Sequence, residues 1–128
     1  MKIASFFSGA GGLDLGFTNA GFKLAFANDN WEGCWETFEK NHKIPINKKS
    51  ITKIKADEVP DVVGFVGGQP CQSWSLAGAM RGINDTRVKV FYDYVRLIKV
   101  KKPSFFLAEN VAGLLSSSHY PEFMKIVN

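Results

Sequence analysis

The sequence has few residues of the kind that tie a chain to a metal or anchor it in a membrane. It contains two cysteines, Cys34 and Cys71, in no C-x-x-C pair, and two histidines, His42 and His119, close to neither of them. A zinc site is therefore not expected, and a reduced, cytoplasmic protein is the simplest interpretation. No apolar run reaches the about 18 residues of a membrane-spanning helix, and Met1 leads directly into a short apolar segment, so we expect neither a membrane span nor a signal peptide.

The remaining composition is that of a globular domain. The chain has 128 residues, of which 45% are hydrophobic and 11 are phenylalanine. That is enough for about one domain with a buried core. The net charge of +4 permits a nucleic-acid partner without requiring one, because lysine-rich solvated faces are common.

Short apolar segments alternate with helical patterns along the chain. Strands are predicted at 3–7, 23–27, 62–66 and 104–108, with a further brief strand at 50–52. Gly21 is predicted to end the first helix. The second helix places Trp31, Cys34, Trp35 and Phe38 on one face, which indicates a core position for Cys34. Five strands alternating with helices indicate an α/β fold, a doubly wound and mostly parallel sheet.

A glycine-rich turn at 8–12 separates the first strand from the first helix. Such a turn lets backbone approach a ligand closely, and the free N–H groups of the helix start favour an anion. Asp29 directly follows the second strand and lies about 18 residues past the glycine turn, close to the offset of a ribose-binding carboxylate. Alternatively, Asp29 or Asn30 caps the next helix. A nicotinamide-dependent dehydrogenase would share the glycine turn and Asp29, but it leaves the cysteine motif described next unexplained.

Cys71 follows a buried strand that Gly67, Gly68 and Pro70 end abruptly. The carboxyl ends of strands in open α/β sheets are where ligands and chemistry lie, so Cys71 is predicted as a nucleophile rather than as a core residue. Glu109 ends another strand; alone it would be interpreted as a helix N-terminal acid. The long segment 73–87 is unusual in a compact domain unless it is functional.

Three motifs, at 7–17, 68–75 and 109–111, resemble the opening, catalytic and acid motifs of DNA cytosine-5 methyltransferases of the bacterial restriction–modification type. The resemblance implies a Rossmann-like methyltransferase fold that uses S-adenosylmethionine and acts on double-stranded DNA. It implies methyl transfer to C5 of a flipped-out cytosine through a covalent adduct with Cys71, while Glu109 holds the N3 edge of the base.

The same resemblance implies the binding residues. Those for the cofactor are Phe7, Ser8, Gly9, Ala10, Gly11, Gly12, Asp29, Asn30, Ser50, Ile51 and Val90. Those for DNA are Gln72, Ser75, Arg81 and Arg87. No metal ligand is implied.

The chain departs from the family pattern at several points. Ser50 replaces the acid that usually reads the adenine amino group, and Asn30 replaces the usual aromatic residue after the ribose acid. The Gln-x-Arg-x-Arg motif is absent. We therefore expect residues 1–128 to be the N-terminal part of the catalytic domain, without the target-recognition region and inactive alone. A complementary C-terminal half is then an expected partner. The alternative is a non-catalytic remnant or split subunit that binds cofactor or a partner chain.

Overall fold

The computed structural model describes residues 1–70, 86–110, 112–115, 120, 121 and 124. The strands in these ranges are β1 (Lys2–Phe6), β2 (Lys23–Asn28), β3 (Gly64–Gly68) and β4 (Phe105–Glu109). The α-helices are α1 (Gly12–Asn19), α2 (Glu32–Asn41) and α3 (Thr86–Lys101). Short 3-10 helices cover Ile51–Lys53, Ala56–Glu58 and Ala112–Leu115. Among these described ranges, no helix has both the length and the apolar character that a membrane crossing requires.

The strands form one sheet in the order β2-β1-β3-β4, and each neighbouring pair is parallel. The chain leaves β1 on one side to form β2 and returns to the other side to form β3, so a topological switch point lies between β1 and β3. Phe6 pairs with both Asn28 and Gly67, and Gly68 pairs with Glu109. The carboxyl ends of the strands therefore meet at one edge, and the predicted parallel α/β fold is confirmed.

Helices cover both faces of the sheet. Successive side chains of β2 point to opposite faces. Phe26 packs with the core cluster that contains Phe6 of β1 and Tyr94 of α3. Ala27 packs instead with Cys34 and Phe38 of α2. The sheet is thus doubly wound.

Gly21 ends α1, as predicted, through a defined hydrogen-bond pattern. Its φ of 91° lies in the left-handed region that favours glycine. The Gly21 N–H donates to the Thr18 carbonyl at 3.0 Å, and the Phe22 N–H donates to the Phe17 carbonyl at 3.1 Å. The rings of Phe17 and Phe22 pack at 5.4 Å between centroids. These contacts form a Schellman motif with its usual apolar contact.

The predicted strand at 50–52 is wrong, because Ile51–Lys53 forms a 3-10 helix. Ile51 and Ile54 are 3% and 1% exposed, and both belong to the core. Residues three apart lie on the same side of a 3-10 helix, whereas a strand would have placed Ile51 and Lys53 on one face. Burial of both isoleucines therefore favours the turn, and the sheet within the described residues has four strands rather than five.

Candidate active site

The loop between β1 and α1 has a backbone that only particular residues adopt easily. Phe7, Gly9 and Gly11 have φ values of 53°, 54° and 88°. The left-handed region costs a non-glycine residue about 1–2 kcal/mol, and strain of this kind concentrates at functional sites. The Ser8 N–H donates to the Asn28 carbonyl at 3.0 Å. This bond holds the loop against the end of β2.

Asp29 joins this loop to the beginning of α2. Its Oδ2 accepts the Gly9 N–H at 2.9 Å, and its Oδ1 accepts the N–H of Trp31, the residue before α2, at 2.8 Å. Each oxygen of an ionised carboxylate has a second lone pair, so both can still accept a hydroxyl. The helix-start role and a ligand-binding role of Asp29 are therefore compatible.

A cavity of about 250 Å³ opens beside Phe7. It is lined by Phe7, Asn28, Asn30, Ser50, Ile51, Pro70 and Val90. Five of these seven are predicted cofactor-binding residues, which the fold brings together from four separate segments. The Ser50 and Thr52 hydroxyls are 3.0 Å apart. Among the described residues, no charged side chain lines this cavity.

Arg96 of α3 holds one wall of this cavity in place. Its Nη2 donates to the Ile51 carbonyl at 3.4 Å and to the Ile54 carbonyl at 3.0 Å. Its Nε donates to Asp93 at 2.8 Å. Helix α3 thus carries Val90 and also anchors the 3-10 segment that supplies Ser50 and Ile51. Sequence reasoning missed this role, because Arg96 lies among the polar residues of a helix with an apolar stripe.

A second cavity, of about 380 Å³, adjoins the first at Phe7, which lines both. It is lined by Ser5, Phe6, Phe7, Ser8, Leu13, Asp14, Gly68 and Glu109. A Cβ on Gly68 would lie 3.3 Å from Oε2 of Glu109, so glycine leaves room for that carboxylate. Ala10 is exposed in the loop, and Gly12 begins α1. The structure therefore places Glu109 near the loop between β1 and α1 (the glycine loop, residues 7–11), and across the switch point from it.

Side chains also link the ends of β3 and β4. Nδ2 of Asn110 donates to the Gln69 carbonyl at 3.2 Å. The Tyr94 hydroxyl donates to the Leu107 carbonyl at 3.0 Å, and burial raises the pKa of that hydroxyl well above its usual range. Tyr94 therefore stays a neutral donor beneath the site.

Several predicted residues lie outside the described residues. They are Cys71, Gln72, Ser75 and Arg81. Arg87 belongs to α3, but its side chain is not among those described. The core prediction for Cys34 is confirmed: it is 1% exposed, its Sγ donates to the Trp31 carbonyl at 3.0 Å, and burial raises the pKa of the thiol.

Asp14 is a site residue to which sequence reasoning gave no role. It is 0% exposed, and neither carboxylate oxygen has a hydrogen-bond partner of normal geometry among the described residues. Burial raises the pKa of the Asp14 carboxyl, and this effect outweighs the nearby Ser5 hydroxyl. An acid in the first turn of a helix normally indicates a helix-dipole role, so the sequence position of Asp14 gives no indication that it is buried. Within the described residues, no group of His, Cys, Asp and Glu is arranged to hold a metal ion.

Comparison with known proteins gives one consistent result. The profile of the family described as C-5 cytosine-specific DNA methylase matches residues 1–128. Type II methyltransferase M.MthTI of Methanothermobacter thermautotrophicus is 69% identical over 128 residues, all of this chain and 39% of the relative. Type II methyltransferase M.FnuDI of Fusobacterium nucleatum is 58% identical over 116 residues, 91% of this chain and 34% of the relative. The chain thus spans well under half the length of these relatives.

Solved structures agree on the fold. A DNA modification methyltransferase encoded within an E. coli prophage superposes with a TM-score of 0.84 at 26% identity, over 100% of this chain and 37% of the other. The Entamoeba histolytica methyltransferase EhMeth superposes with a TM-score of 0.80 at 22% identity, over 99% of this chain and 43% of the other. The described sheet and helices therefore have the Rossmann-like arrangement of methyltransferases.

Proposed function

The chain belongs to the C-5 cytosine-specific DNA methylase family, of the restriction–modification type, and from this premise we propose that it forms the cofactor-binding and catalytic part of an enzyme that methylates C5 of cytosine in DNA. The observation that carries the proposal is the pair of cavities that meet at Phe7. One gathers Asn30, Ser50 and Val90, and the other contains Glu109. They lie at the carboxyl edge of the sheet, where ligands bind in this fold class.

The residues of the first cavity fit the adenosine end of S-adenosylmethionine. Phe7, Ile51 and Val90 offer apolar surface to a purine ring, and Ser50 and Asn30 offer hydroxyl and amide groups that both donate and accept hydrogen bonds. Asp29 is placed beside the glycine loop with free lone pairs for ribose hydroxyls. When bound, S-adenosylmethionine supplies an electrophilic methyl group.

Cys71 and Glu109 act on the cytosine in this proposal. The Cys71 thiolate forms a bond to C6, and Glu109 holds the proton at N3 as negative charge develops in the ring. The addition makes C5 nucleophilic toward the methyl group. Loss of the C5 proton and of the Cys71 thiolate then restores the aromatic ring. The bond from Asn110 to the Gln69 carbonyl supports this geometry, because it links the segment leading to Cys71 with the segment that follows Glu109.

DNA binding is also part of the proposal. The target base must leave the duplex at a cost of a few kcal/mol, which contacts to the displaced strand can offset. Gln72, Ser75, Arg81 and Arg87 are proposed as those contacts. Arginine contacts to phosphates would make DNA binding weaken as salt is raised.

A complementary C-terminal part is proposed as the second partner. Within the described residues, strand β4 is an edge of the sheet, and its Phe106 and Leu107 are 51% and 36% exposed. An exposed apolar edge strand is a surface that another strand or helix normally covers. The alternative, a remnant that binds cofactor or a partner without catalysis, would use the same edge.

A methyl-transfer assay with two cysteine variants tests the catalytic proposal. The chain is mixed with the complementary C-terminal part of the Methanothermobacter relative, and transfer of tritiated methyl groups to duplex DNA is measured. We expect activity only in the mixture, its abolition by Cys71→Ala, and its retention in the matched control Cys34→Ala. Activity that survives Cys71→Ala would exclude the nucleophile role. Site-specific activity of the chain alone would contradict the need for a second part.

A further inference from the structure

Asp14 is a buried carboxylate that lacks a hydrogen-bond partner of normal geometry among the described residues. It is the third residue of α1, it is 0% exposed, and both of its oxygens lack a hydrogen-bond partner among the described residues. A buried polar group left unpaired is costly, and a buried charge more so. A position of this kind persists when the missing partner is supplied by a ligand.

The neighbours of Asp14 do not neutralise it. Burial raises the pKa of the Asp14 carboxyl more strongly than the nearby Ser5 hydroxyl, the backbone N–H of Asp14 itself and the His42 side chain lower it. The Ser8 hydroxyl is already engaged, because it donates to the Ser5 hydroxyl at 2.9 Å. Within the part of the chain that the structure describes, Asp14 forms no salt bridge, and neither of its buried carboxylate oxygens has a hydrogen-bond partner.

Asp14 lines the cavity of about 380 Å³ at the switch point, and Glu109 lines the same cavity. The polar side chains around it are two serines and these two acids, with no lysine or arginine among the described lining residues. Such a cavity selects a cationic group with several N–H donors. It shares Phe7 with the cavity assigned to adenosine, so a cofactor that fills both cavities would place its amino-acid end here.

We propose that the Asp14 carboxylate binds the α-ammonium group of the methionine portion of S-adenosylmethionine. The inference rests on the proposed function, which assigns the first cavity to adenosine. An ammonium group offers three donors, and a hydrogen bond between two charged groups is stronger than a neutral one. Asp14 is then a cofactor-binding residue in addition to the glycine loop and Asp29. Its role is to orient the end of the cofactor next to the methyl group.

The test uses two ligands that differ only in the α-amino group: S-adenosylhomocysteine and its deaminated analogue. Binding to the chain is measured by calorimetry for the wild type, for Asp14→Asn and for Asp57→Asn, a matched neutralisation of an exposed aspartate on the surface. We expect the wild type and the Asp57→Asn control to prefer S-adenosylhomocysteine. Asp14→Asn is expected to lose about ten- to hundredfold in affinity for that ligand and little for the analogue.

Four results would count against the inference. Equal loss for both ligands in Asp14→Asn would indicate a purely structural role. Equal affinity of the two ligands for the wild type would overturn the inference. Because this comparison needs no variant, it remains decisive even if Asp14→Asn fails to fold. A wild-type chain that binds neither ligand would overturn the proposed function together with the inference, whereas binding that ignores Asp14→Asn overturns the inference alone.

Discussion

Two glycines of the glycine loop have similar backbone conformations but different surroundings, which predicts that their substitution by alanine lowers stability by different amounts. Gly9 and Gly11 both have left-handed φ values, 54° and 88°. A Cβ on Gly9 would meet no atom within 4 Å, whereas a Cβ on Gly11 would overlap Nε2 of His42 and lie 3.0 Å from Cδ2 of Phe38. Gly11→Ala and Gly9→Ala therefore share the backbone strain and differ in the contact with His42.

The expected magnitudes follow from these two effects. Left-handed alanine costs about 1–2 kcal/mol, which sets the loss of stability for Gly9→Ala. In Gly11→Ala, His42 must also leave its stack on Phe38, where the ring centroids are 4.6 Å apart. Aromatic pairs of this kind contribute about 0.5–1.5 kcal/mol, so Gly11→Ala should cost about 1.5–3.5 kcal/mol in all.

Urea unfolding followed by tryptophan fluorescence measures both variants. The double variant Gly11→Ala/His42→Ala isolates the contact, because shortening His42 removes the nearest obstacle. We expect Gly11→Ala to be clearly less costly in the His42→Ala background, with a coupling energy of at least about 0.5 kcal/mol. Equal stabilities of Gly9→Ala and Gly11→Ala, or strictly additive effects in the double variant, would refute the reasoning.

Two further predictions concern Arg96 and the pH dependence of stability. Arg96→Met removes donors to the Ile51 and Ile54 carbonyls, so it should lower the free energy of unfolding by about 1–3 kcal/mol and weaken S-adenosylhomocysteine binding. The control Lys99→Met, on an exposed part of α3, should change neither quantity. Unchanged ligand binding in Arg96→Met would exclude a positioning role for Arg96. Burial raises the pKa of Asp14 above its ordinary value of 3.8, so the folded chain holds this proton more tightly than the unfolded chain, and stability should fall as pH rises from 3.8 through the folded-state pKa. Asp14→Asn should remove that part of the pH dependence and raise the free energy of unfolding at neutral pH. Parallel pH profiles of the free energy of unfolding for the wild type and Asp14→Asn would contradict this.

Local sequence patterns were sufficient for the elements that depend on neighbouring residues. The alternation of apolar runs with glycine turns predicts β1, α1, β2 and their order, since strand and helix periods are local properties. Gly21 was identifiable as the end of α1 because few other residues adopt its φ. The same reasoning placed Asp29 and Glu109 at strand ends, and therefore at one edge of a parallel sheet.

Two predictions from local sequence patterns were wrong. The apolar content of 50–52 suggested a strand, but the core needed Ile51 and Ile54 together, three residues apart. Trp31 was grouped with Cys34 and Phe38 on one helical face, yet it precedes α2 and is 67% exposed. Helical spacing does not apply to a residue outside the helix.

Only the tertiary structure decided which distant residues meet. It brought the His42 ring against Gly11, the Arg96 guanidinium against the Ile51 and Ile54 carbonyls, and Asp14 into a buried cavity beside Glu109. A carboxylate in the first turn of a helix has the same sequence signature whether it is solvated or buried. The difference lies in the packing of α1 on the sheet, because burial is a property of the assembled layers and not of the residue type.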